Sequence, residues 1–73
     1  MSEFANELRR GIGEAQDATL VAAEAGHPYE AYLHRARLAE LLDLAERNDI
    51  DATVLVIPAV RAALAEDRAV LEA

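Results

Sequence analysis

Ala25-Gly26-His27-Pro28-Tyr29 divides an otherwise helical chain into two pieces. Gly26 is free to take the left-handed conformation that closes one helix. Pro28, with its φ preset and no N–H to lose, suits the first turn of the next. A connection this short obliges the flanking segments to fold back on each other, so the stretch predicts an antiparallel helical hairpin.

Working outward, residues 3–25 wound at about 100° per residue gather Phe4, Leu8, Ile12, Ala15, Thr19 and Ala22 into one narrow sector, with acids and Arg10 outside it. Ser2 is placed to cap this helix, and Glu3 lies favourably in its first turn. Gly11 lies at the edge of the apolar sector and suits close approach of a second helix. Gly13 lies on the polar side, at a cost of about 1 kcal/mol against alanine. In the second segment, residues 28–47, Ala31, His34, Leu38, Leu41, Leu42 and Ala45 share a face. Leu33 and Leu44 form a second apolar stripe, while Tyr29 and Tyr32 fall on the alanine side with Ala36 and Ala39.

Beyond Arg47 the pattern breaks. Asn48 tolerates the left-handed conformation that ends a helix, Ile50 is able to fold back on the last turn, and Asp51 is able to cap the next turn of chain. Thr53-Val54-Leu55-Val56-Ile57 reads as a strand on propensity but has no partner strand in the chain. Pro58 turns Ile57 away from the helical region and starts a helix well. Residues 52–57 are therefore expected to form a helical turn or extended connector. A third helix is expected over about 58–71, with Ile57, Val60, Leu64 and Leu71 as its apolar face.

The 73 residues contain no cysteine, which excludes disulfides and thiolate metal sites. Apolar residues make up 53%, but many are alanine, so the core is thin and self-association is favoured. The net charge of −7 opposes phosphate backbones and anionic membranes. Lysine is absent and arginine carries every fixed positive charge, a composition similar to that of small proteins of high-GC bacteria and their phages. Neither a basic region followed by an apolar run nor an uninterrupted apolar stretch of membrane length is found, which leads to the expectation of a cytoplasmic protein.

Three constellations carry candidate chemistry. His27, Glu30 and His34 are ligand types that zinc accepts, but the two histidines lack the four-residue helical separation that closes such a site. His34 sits at the centre of one apolar face and Asp67 comparably on the third helix, which predicts a buried His34–Asp67 pair, structural rather than catalytic, since no nucleophile accompanies it. The arginine pairs at 9 and 10, 35 and 37, and 61 and 68 evoke a nucleic-acid surface on a helix-turn-helix. The helix from Pro58, however, begins with apolar residues where base-reading side chains belong. The acids are too dispersed to mimic a nucleic-acid backbone.

The resulting expectation is an all-α, three-helix domain over residues 1–73, built on a long antiparallel hairpin, with no catalytic, cofactor or metal residues. Its function is expected to be non-enzymatic: a small acidic interaction or regulatory module that forms a homodimer or binds a protein partner, without direct contact to nucleic acid or membrane. The candidate interface residues are Tyr29, Tyr32, Leu33, Leu44, Val54 and Val56. A His/Glu metal-binding or enzymatic helical protein and a nucleic-acid-associated regulator are the alternatives.

Overall fold

Each helix begins and ends where local chemistry directs it. In the computed structural model, which describes residues 2–73, α1 (Glu3–Glu24), α2 (Pro28–Arg47) and α3 (Pro58–Glu72) follow one another, with a single 3-10 turn at Thr53–Leu55 before α3. The fold is all-α, as the periodicity predicts. The Ser2 hydroxyl oxygen accepts from the Ala5 N–H at 3.1 Å and starts α1. At its other end Gly26 adopts φ 79°, and the Gly26 and His27 N–H groups donate back to the Ala23 and Ala22 carbonyls. This is a Schellman closure, which satisfies carbonyls a helix end would otherwise leave orphaned.

α2 ends in the same way at Arg47, as expected, but its left-handed residue comes one position later than expected. Asp49 rather than Asn48 takes the left-handed conformation, at φ 57°, while the Asp49 and Ile50 N–H groups bond the Glu46 and Ala45 carbonyls. The motif puts its left-handed residue after the cap, and Asn48 is that cap, its side chain donating to the Leu44 carbonyl at 2.8 Å. Ile50 then folds back against the core as expected.

The α1–α2 seam has a heptad rhythm. Ala5, Leu8, Ile12, Ala15, Thr19 and Ala22 are buried at alternating spacings of three and four, and Ala31, Leu38 and Ala45 repeat every seventh residue on α2. A strict 3.6-residue winding drifts by about 20° per heptad from such a seam. That drift is why Phe4, expected on the buried face, is 49% exposed while Ala5 turns inward. Small residues along the seam bring the helices close, and Leu41 packs at Gly11.

The core gathers Leu8, Ile12 and Ala15 of α1, Leu38 and Ala45 of α2, Ala52 and Val56 of the connector, and Val60 of α3. Leu64 packs against it, but Leu71 and Ile57, expected on the inner face of α3, are exposed. Only the first turns of α3 reach the core. The radius of gyration, 12.3 Å, accordingly exceeds the ~11 Å expected for a compact chain of this length. The accessible surface is 5192 Å², against about 4400 Å² for a typical folded monomer of this mass.

Candidate functional site

The connector is held by three polar side chains, and those contacts shape the surface beside it. Gln16, on α1 next to the seam, is only 8% exposed. Its Nε2 donates to the Leu55 carbonyl and its Oε1 accepts from the Ile57 N–H, both at 2.9 Å. One side-chain amide thus satisfies two backbone groups of a segment that has no neighbouring strand. From the other side Arg61 donates to the Val56 carbonyl at 3.0 Å. The 3-10 turn is started by Asp51, whose carboxylate accepts from the Thr53 hydroxyl at 2.8 Å and the Thr53 N–H at 3.2 Å. Those bonds hold the Asp51 carboxyl below its usual range.

Gln16 was not legible as a site residue. The available signal was an accounting one: an unpaired β-branched segment has backbone groups to satisfy, and a glutamine at the margin of a buried face is one of few residues equipped to do so. With Leu55 and Ile57 so engaged, the segment forms no strand and offers no edge for pairing with another chain. Val56, expected at an interface, is 4% exposed and belongs to the core. Leu44 likewise packs partly against the core, whereas Leu33, Tyr29 and Val54 are exposed, Val54 to 80%.

The expected His34–Asp67 pair is replaced by Arg35–Asp67. Arg35 Nε and Nη2 donate to the two Asp67 oxygens at 2.7 and 3.0 Å, with side-chain exposures of 19% and 22%. The guanidinium also lies 5.8 Å from the centre of the Tyr32 ring. Hydrogen bonding to Asp67 raises the Arg35 pKa against the opposing effect of partial burial. A planar fork matches a carboxylate better than an imidazole does. Asp67 on α3 meets Arg35 of α2, while its sequence neighbour His34 is half-buried.

Between α2 and α3, beyond this ion pair, lies a groove of about 1210 Å³. Tyr32, Ala36 and Ala39 line one wall, and Leu64, Ala65 and Leu71 the other, with Leu42 and Ile50 between. Tyr32 is therefore brought into this groove, and Tyr29 is left outside it.

His27 Nδ1 and Glu30 Oε2 are 3.3 Å apart on the surface, without His34. Among the described residues, no group of three or more His, Asp or Glu side chains stands where a metal ion would be held. Arg10, Arg35, Arg47 and Arg61 are each engaged with groups of this chain. Among the described residues, no helix is long and apolar enough to cross a membrane. No protein-family model, curated protein or solved structure matches the chain.

Proposed function

We propose that the chain is a small, non-enzymatic interaction or regulatory module that binds protein through apolar surface its own helices leave uncovered. The surplus of accessible surface carries this reading. The excess of about 800 Å² over a typical monomer is close to one partner's share of a standard interface. Large apolar side chains form part of that surface: Tyr29, Leu33, Val54, Val70 and Leu71 are each 47% or more exposed. Nucleic-acid binding is the weaker reading, because the net charge is −7, four arginines are engaged internally, and residues 48–57 make a far longer link than the turn of about 3–4 residues in a helix-turn-helix.

A second surface favours self-association as well. Val54, Leu55 and Ile57 are exposed around the Gln16 clamp, and Leu20, also exposed, lies one turn along α1 from Gln16. A symmetric dimer through this patch is the default closed assembly.

Site-specific photocrosslinking in host cells tests both, with the reactive side chain at Ala39, at Val54, or at Glu14 as an exposed control. A discrete protein adduct at Ala39 or Val54, absent at Glu14, supports an interaction module. An adduct of about twice the chain mass at Val54 identifies the partner there as a second copy. No adduct at either position overturns the reading.

A further inference from the structure

Resting on that reading, we propose that the groove between α2 and α3 is the seat of a basic amphipathic helix from a different protein. Its volume, about 1210 Å³, lies above the range of about 300–1,000 Å³ usual for small-molecule pockets, and it is partly open to solvent, as a docking groove is. Its α2 wall suits a helix. Tyr32, Ala36 and Ala39 succeed one another on α2 at spacings of four and three, so two small side chains leave room for a third helix backbone beside an aromatic contact. Leu42, Ile50 and Leu64 supply the apolar depth that anchor residues of an amphipathic helix fill.

Charge selects the occupant. Glu40, Asp43 and Glu46 descend α2 along the groove, and Asp49, Asp51 and Glu72 continue the acidic border at its ends. Arg35 and Arg68 are the cations in the lining, and the charge of Arg35 is already neutralised by Asp67. The closed end of α2 adds the negative pole of its helix dipole to the same region. A helix with lysine or arginine beside its apolar stripe gains attraction along the α2 border and at the ends of the groove. At this acidic border the acidic surface of a second copy, 14 acids to 7 bases overall, meets local repulsion, as does a nucleic acid, whereas Val54, Leu55 and Ile57 are apolar and lie outside the lining. The groove and the Val54 patch therefore serve different partners.

The test uses the intact chain and two labelled helical peptides of about 18 residues, or five turns. They share one leucine and alanine face and differ only in carrying lysine and arginine or glutamate on the other. Fluorescence anisotropy should show the basic peptide binding in the micromolar range, the acidic peptide at least tenfold more weakly, and a several-fold loss of basic-peptide affinity on raising salt. Glu40→Lys combined with Glu46→Lys alters two exposed residues and should weaken the basic peptide at least tenfold while leaving the circular dichroism spectrum unchanged. Ala39→Phe should block the same site without altering charge. Equal affinity for both peptides, or binding indifferent to both sets of substitutions, overturns the proposal. If neither peptide binds but photocrosslinking at Ala39 or Val54 yields an adduct, this occupant is wrong and the interaction-module reading stands. If neither peptide binds and no adduct forms, both fall.

Discussion

Gln16 does with one amide what a neighbouring strand would do with its backbone. Removing it leaves the Leu55 carbonyl and the Ile57 N–H to find water in a partly buried place, so Gln16→Ala should cost about 2 kcal/mol or more in urea denaturation. Gln16→Glu should be no better, because it presents an oxygen to the Leu55 carbonyl. Midpoints equal to the parent's in both variants would show that the connector needs no clamp. Asp51 bears on pH instead. Its carboxyl is held below the usual range by Thr53, so the ionised form is the bonded one. Its contribution is present above the unfolded value of about 3.9 and lost as pH falls through the folded value. The gap in thermal midpoint between the parent and Asp51→Asn should therefore close as pH drops below that range. A gap independent of pH would remove the carboxylate from the account. Asp51 as a cap was legible in the sequence because the bond is local. The Gln16 clamp and the Arg35–Asp67 pair were not, because both join residues more than thirty positions apart, and the direction from which α3 approaches α2 decides which neighbour meets Asp67.

Helices and their ends were the most readable level, since caps and periodicity act within a turn or two. The hairpin break at Gly26 and the start of α2 at Pro28 stand where the sequence places them. The one-residue difference at Asp49 arose because two adjacent residues both tolerate a left-handed backbone. The rotation that brought Ala5 in for Phe4 arose because helices that pack on each other obey a heptad seam rather than the period of a lone helix. Three glycines make this level testable. Gly26→Ala meets no neighbouring atom, so its penalty of about 1 kcal/mol should come from backbone conformation alone. Gly13→Ala also meets nothing, inside a helix, and should stabilise by about 0.5–1 kcal/mol. Gly11→Ala places its new methyl in ordinary contact with Leu41 and should stabilise as well or be neutral. Thermal midpoints of the three variants should thus differ in sign, and a stabilising Gly26→Ala would contradict the left-handed closure.

At the scale of the molecule, three helices share a core with Ile12 and Leu38 as its largest fully buried side chains, and only the beginning of α3 joins it. The rest of α3 is held off α2 by an ion pair, and the groove results from that arrangement. The charge along its border is the sequence's own acidity, placed where two helices converge on apolar surface. The most direct measurement is an amide-resolved NMR titration of the intact chain with the basic peptide. Shifts concentrated at Ala36, Ala39, Leu42, Leu64 and Ala65, with Val54 to Ile57 unmoved, are the predicted result. Shifts confined to Val54 to Ile57, or none at saturating peptide, would contradict the claim that the groove between α2 and α3 is a binding surface.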